Sequence, residues 1–137
     1  MNLRGKVALV TGGARRLGRA VALKLAEAGA HIALHYYSSE RSALATAELV
    51  RRLGVESTLI QGDLSDVAQA EHVVARAAAA WGRLDVLVNC AAVFFETPIG
   101  TVRVEQWDML LNTNLRGPFF CAQQAAREMR KGGGGVI

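Results

Sequence analysis

Three glycines and three arginines crowd into eleven residues, VTGGARRLGRA, from Val10 to Ala20. Glycines at 12, 13 and 18 let a chain turn tightly out of a strand and into a helix. Main-chain N–H groups and the helix N-terminus then converge on one point, which suits a phosphate. Arg15, Arg16 and Arg19 set cationic donors around that point. Position 16, where such a loop usually carries another glycine, holds arginine. The chemistry on offer is anion binding, and Arg16 either spoils it or turns it to a second use.

A second place decides which anion. In dinucleotide folds an Asp or Glu at the end of the second strand, roughly 20 residues past the loop, selects NAD by binding the ribose 2′-hydroxyl. Here that place reads HYYSS, with no carboxylate before Glu40. A neutral, hydroxyl-rich pocket near Arg15 and Arg41 tolerates a 2′-phosphate, which favours NADP. Ser38 or Ser39 can also cap the helix that follows. A metal is not expected. Cys90 and Cys121 lack paired ligand spacing, and His31, His35 and His72 form no His-x-x-x-His or mixed pattern. Both cysteines read as reduced packing residues.

The elements that must position these residues follow from apolar periodicity. KVALVT (6–11), HIALHYY (31–37), ESTLIQ (56–61) and LDVLVN (84–89) are runs fit for buried strands. Between them, Leu17, Val21, Leu25 and Ala28 mark one helix face, closed by Gly29. Ala45, Leu49 and Leu53 mark the inward face of a second helix, ended by Gly54. Val67, Ala70, Val74, Ala77 and Trp81 mark a third, after Ser65 and Asp66 and up to Gly82. Residues 90–104 read as a loop, and 105–131 as a long helix bent at Gly117-Pro118. The glycines at 132–135 read as a tight connection into a fifth strand. Strand and helix in alternation imply right-handed crossovers and a doubly wound α/β fold with one parallel sheet.

Bulk properties agree. A chain of 137 residues, 51% hydrophobic and 20% charged, fits one globular domain. No apolar run approaches the roughly 20 residues of a membrane span, and the first residues lack a secretory pattern. A cytoplasmic protein is expected. The net charge of +4 is scattered except for the arginines of the turn, so a small phosphorylated ligand is expected rather than nucleic acid or membrane.

In these stretches the sequence resembles the short-chain dehydrogenase/reductase family over its whole length. TGGARRLG resembles the family's TGxxxGxG loop, which implies cofactor contacts from Gly12, Arg15, Arg16, Leu17 and Gly18. LHYYSS implies further contacts from His35, Tyr36, Tyr37, Ser38 and Ser39. DLS resembles the Asp-Leu step, with Asp63 receiving the adenine amine beside Leu64. NCAA resembles Asn-Asn-Ala-Gly, placing Asn89, Ala91 and Ala92 along the nicotinamide ribose, with Cys90 and Ala92 as departures. NTNLRGPF resembles Asn-x-x-Gly-x-Phe and implies a catalytic role for Asn114.

Within the family the motifs are most similar to pteridine reductases, which carry Lys/Arg-Arg-Leu-Gly at the turn, LHY after it, and a stacking phenylalanine before Thr-Pro. The resemblance implies that Arg16 and Phe94 hold substrate, a planar pterin or another carbonyl compound. Ser38-Ser39 stands where those reductases have Arg-Ser. The family's Tyr-x-x-x-Lys pair and Ser lie beyond the fifth strand and are not among these residues. Residues 1–137 are therefore expected to be the N-terminal, dinucleotide-binding part of a single Rossmann domain, cut at its fifth strand and inactive alone. The expected whole is an NADPH-dependent reductase that forms a homotetramer or homodimer. A 3-oxoacyl-(acyl carrier protein) reductase-like or other carbonyl reductase, and a non-catalytic NADP-binding or interaction module, stand as alternatives.

Overall fold

The run VALVT has no polar face to offer water, and it forms β1, Val7–Thr11, buried at every residue. The structure, a computed structural model, describes residues 2–137. After β1 come α1 (Arg16–Glu27), β2 (His31–Tyr36), α2 (Glu40–Arg52) and β3 (Ser57–Gln61). Then follow α3 (Val67–Trp81), β4 (Val86–Asn89), α4 (Val104–Leu111), a π-helical segment (Asn112–Arg116) and α5 (Gly117–Lys131). The strands pair in parallel in the order β3-β2-β1-β4, with Val7 opposite His31 and Ala8 opposite Val86. The chain thus winds outward from β1 to β3 and returns on the far side of β1. That reversal opens a crevice beyond the carboxyl ends of β1 and β4.

Alternation along β1 divides the core. Val7 and Leu9 pack with Val73, Val74 and Ala77 of α3 and Cys121, Ala125 and Met129 of α5. Ala8 and Val10 pack with Ala22 and Ala26 of α1 and Ala47 and Val50 of α2. Helices on both faces make this a doubly wound, Rossmann-like α/β fold. Two helix faces differ from the sequence pattern. α1 buries Gly18, Ala22 and Ala26, while Leu17 is 70% exposed. α2 buries Ala43, Thr46, Ala47 and Val50, leaving Ala45 and Leu53 outside. Small residues bring these helices close to the sheet, and the Thr46 hydroxyl donates to the Ala14 carbonyl at 3.0 Å. Close approach outweighs the larger aliphatic area that Leu17 or Leu53 would bury. α3 follows its expected face at Ala70, Val74 and Ala77, and Asp66 caps it by accepting the Gln69 N–H at 3.0 Å.

The long last helix is distorted five residues ahead of the expected bend. Pro118 has no N–H for the carbonyl of Asn114, and the preceding turn widens into the π segment, with Gly117 N–H donating to the Asn112 carbonyl. Gly117 is held there by packing, because a Cβ would overlap the Leu64 carbonyl oxygen and lie 3.2 Å from its carbon. The glycine run makes a tight connection as expected. Gly134 N–H donates to the Met129 carbonyl at 2.9 Å, and Val136 then pairs in parallel beside Val86.

The amino edge of the sheet is fastened by one carboxylate. Asp85 is 4% exposed and accepts the Val7 N–H at 2.9 Å and Arg83 Nε and Nη2 at 2.8 and 2.6 Å. Lys6 Nζ stands 3.3 Å away. Burial alone would push this carboxyl up, but the donors outweigh it and hold it at about 2, below its ordinary 3.8. Because the folded value is the lower one, the stabilisation is complete above the ordinary value and is lost as pH falls toward about 2. Its size is about 2 kcal/mol. In acid titrations followed by circular dichroism, Asp85→Asn should be less stable near neutral pH and lose that share of the acid dependence. A variant with the parent's acid profile would contradict this.

Candidate cofactor site

The turn between β1 and α1 needs its glycines for close approach. Gly12 has φ +62°, and a Cβ on it would stand 2.9 Å from Ala91 Cα. A Cβ on Gly18 would overlap the Gly12 carbonyl oxygen, so α1 starts directly against the turn. Arg16 has φ +50°, the only positive φ of a non-glycine among the described residues. A left-handed arginine costs about 1 kcal/mol. Position 16 therefore has the backbone conformation of a glycine while carrying a guanidinium. Local strain of this kind points to a side chain put to use.

The helix end is left electrically open. Arg15 at the N-cap makes no capping bond, and the first turn of α1 holds no acidic residue. The first N–H groups of a helix have no intrahelical acceptors, and here they are flanked by Arg15 and Arg16. A phosphate supplies the negative charge and the acceptors that this end lacks. The residues present thus fit a phosphorylated cofactor.

A cleft of ≈ 530 Å³ opens over the turn. Gly12, Arg15, Arg16, Leu17 and Gly18 line it from the turn, and His35, Tyr36, Tyr37, Ser38 and Ser39 from the end of β2. Asp63 and Leu64 line it after β3, and Ala91 and Ala92 after β4. Ala14, Ser65, Cys90, Val93, Met109 and Thr113 also face it. The resemblance did not name these six as contacts, although Ala14, Ser65, Cys90 and Thr113 stand inside its motifs. Asn89 and Phe94 lie outside the lining. Val93 turns into the cleft, and Phe94 beside it is left 91% exposed.

Hydrogen bonds show which side chains hold the walls and which remain for a ligand. Thr11 Oγ1 accepts the N–H groups of Cys90 and Ala91 at 3.0 and 3.1 Å and donates to the Val88 carbonyl at 3.3 Å. Thr11 therefore fixes the NCAA turn. Asn114 clamps Val93, with Oδ1 accepting its N–H at 2.8 Å and Nδ2 donating to its carbonyl at 2.7 Å. Arg116 donates to the Ser65 carbonyl at 2.7 Å. Asp63 Oδ1 accepts the Ser65 N–H and hydroxyl at 2.9 and 2.7 Å. Among the described residues nothing donates to its Oδ2, which leaves an acceptor for an amine.

His35 differs from the expected ligand contact. Its Nδ1 meets the Gly12 N–H at 3.1 Å and its Nε2 the Gly62 carbonyl at 3.0 Å, so both nitrogens are engaged within the protein. Ser39 stands at the N-cap of α2 but makes no side-chain capping bond. Burial pushes the Cys90 thiol up, which keeps it protonated.

Comparison with known proteins gives these features a family. The pattern described as short chain dehydrogenase matches residues 6–137. The 3-oxoacyl-[acyl-carrier-protein] reductase FabG of Staphylococcus aureus is 36% identical over 132 residues, 96% of this chain and 54% of that protein. The chain thus spans about half the length of the curated relatives it matches. A short chain dehydrogenase of Burkholderia cenocepacia J2315 in complex with NADP superposes with a TM-score of 0.90 at 38% identity, covering 93% of this chain and 52% of that one. A blue fluorescent protein from a metagenomic library, in complex with NADPH, gives 0.90 at 40% identity, covering 94% and 53%. None of these three is named as a pteridine reductase, and they show the broad family without that finer closeness. The chain belongs to the short chain dehydrogenase family.

Proposed function

We propose that this chain is the dinucleotide-binding part, residues 1–137, of an NADPH-dependent reductase acting on a carbonyl or pterin-type C=N substrate. The observation that carries the reading is the uncapped, arginine-flanked start of α1 beneath a cleft whose β2 end offers hydroxyls instead of a carboxylate. Arg15, Ser38 and Ser39 would receive the 2′-phosphate, and the α1 N-terminus the pyrophosphate. Asp63 Oδ2 would take the adenine amine beside Leu64, while Ala91 and Ala92 would border the nicotinamide ribose, with Asn89 next to them just outside the lining. The NADP and NADPH complexes of the two similar structures support this choice of cofactor.

A nicotinamide bound there would supply a hydride to the substrate carbon. The chain's own residues position the reactants. Asn114, whose side chain clamps Val93, is the proposed catalytic residue of this part, and Pro118 brings no N–H to its main-chain carbonyl. Arg16 and Phe94 are the proposed substrate contacts. A planar substrate over Phe94 would gain about 1 kcal/mol from stacking beyond burial. A 3-oxoacyl thioester is the second reading, favoured by the Staphylococcus aureus relative. Trp107, Leu115 and Phe119, each at least 60% exposed, offer an apolar surface for a second copy and support the homo-oligomer.

Fluorescence titration of the chain tests the cofactor. NADPH should bind at least about tenfold more tightly than NADH, since one charge-assisted contact to the 2′-phosphate is worth about 1.5–3 kcal/mol. Equal or tighter binding of NADH would refute NADP selectivity.

A further inference from the structure

We propose that His35 is a positioning residue of the cofactor turn, acting as a neutral imidazole whose bare Nδ1 holds the Gly12 N–H. The inference rests on the cofactor reading above. Its basis is a pair of bonds that only one form of the ring can make. The Gly12 N–H can only donate, so Nδ1, 3.1 Å away, must carry no hydrogen. The Gly62 carbonyl can only accept, so Nε2, 3.0 Å away, must carry one. The other neutral tautomer breaks both bonds, and the cation sets two donors against each other at Gly12.

The main chain shows what these bonds join. Gly13 N–H donates to the His35 carbonyl at 3.0 Å, and Gly62 N–H to the Tyr36 carbonyl at 3.1 Å. The ends of β1, β2 and β3 are therefore tied at this one residue, which is 2% exposed. Gly12 is the pivot of the turn, wedged against Ala91, so its N–H sets how the turn is presented to a phosphate. The ring acts on the cofactor through Gly12 and needs no contact of its own.

The surroundings decide how easily the ring could charge. Asp63 stands on the β3 side, Arg15 and Arg16 on the turn side, Cys90 after β4, Tyr36 on its own strand and Tyr37 just after it. Burial pushes the imidazole below its ordinary 6.5, outweighing the Gly62 carbonyl and the Asp63 charge that pull it upward. The neutral form is thus the folded form. The stabilisation is complete above the ordinary value and is lost as pH falls through the depressed one.

The test uses the chain with two variants. In His35→Asn, Oδ1 can accept the Gly12 N–H but cannot be protonated. In His35→Leu there is no acceptor. NADPH affinity is measured from about pH 8 to about pH 5, and the imidazole nitrogens are read by ¹⁵N NMR without cofactor. The 2′-phosphate itself titrates near about 6, and that share is common to all three proteins. His35→Asn should keep most of the parent's affinity near neutral pH, and the parent alone should lose further affinity where acid protonates the ring, which burial places below its ordinary 6.5. The NMR should show bare Nδ1 and protonated Nε2, and His35→Leu should bind weakly throughout. His35→Leu binding NADPH as tightly as the parent, or a protonated Nδ1 near neutral pH, would overturn the proposal. No NADPH binding by the parent at any pH overturns the cofactor reading itself, an outcome distinct from binding that His35→Leu leaves unchanged.

Discussion

Gly18→Ala should destabilise the protein by about 3 kcal/mol and abolish detectable NADPH binding. Taken as a helix residue alone, the change would help, because alanine exceeds glycine in helix propensity by about 1 kcal/mol. The sign reverses because of what the added methyl meets. Its carbon would overlap the Gly12 carbonyl oxygen, lie 2.8 Å from the Gly12 carbonyl carbon and 3.1 Å from Gly13 Cα. All three are main-chain atoms, and no rotamer can move them aside. Relief requires α1 to back away from the turn. That would shift Ala22 and Ala26, both at most 1% exposed, from their seats on the sheet.

The same movement separates the α1 N–H groups from the turn, which ends their convergence on a phosphate. Thermal melting should fall by about 10 °C, read by circular dichroism alongside an NADPH titration. A variant that melts with the parent and binds as well would show that α1 has room to spare. Gly117→Ala offers a comparison, since its methyl would overlap the Leu64 carbonyl oxygen on the opposite wall of the cleft. It should cost stability in the same way, with the Asp63–Leu64 side of the cleft displaced instead of the phosphate side.

What the sequence made legible was the set of features encoded by residue type along the chain. Aliphatic runs announced the four strands, and glycines announced the ends of α1, α2 and α3. The motifs placed fourteen residues that do line one cleft, because strand ends in a parallel sheet gather at one edge. Features that depend on distance across the fold were not legible. The buried faces of α1 and α2 were misread because large aliphatics were taken to point inward, whereas Ala22, Ala26, Ala43 and Ala47 face the sheet. The distortion expected at Gly117-Pro118 falls instead on the π segment before it, because Pro118 acts on the preceding turn. The roles of Thr11 and His35 rest on contacts across 23 to 80 residues of chain. For Thr11 a signal was present, since a hydroxyl at the end of a buried strand needs partners.

Arg16→Gly should separate stability from binding, and it bears on why arginine stands where the backbone suits glycine. Removing the side chain relieves about 1 kcal/mol of left-handed strain. It also adds glycine's chain entropy to the unfolded state, which offsets about 0.5–1 kcal/mol. The melting temperature should therefore stay within a few degrees of the parent. Affinity should not. Arg16 lines the cleft beside the open end of α1, and loss of a charge-assisted contact to phosphate costs about 1.5–3 kcal/mol, or roughly 10- to 100-fold in binding. The nucleotide that suffers identifies the contact. An equal loss for NADPH and NADH places the guanidinium on the pyrophosphate, while a loss confined to NADPH places it on the 2′-phosphate. If both nucleotides bind as before, the side chain does not hold the cofactor. The strain at Arg16 would then have to serve the substrate, and the same variant should lose pterin binding in the NADPH-loaded protein.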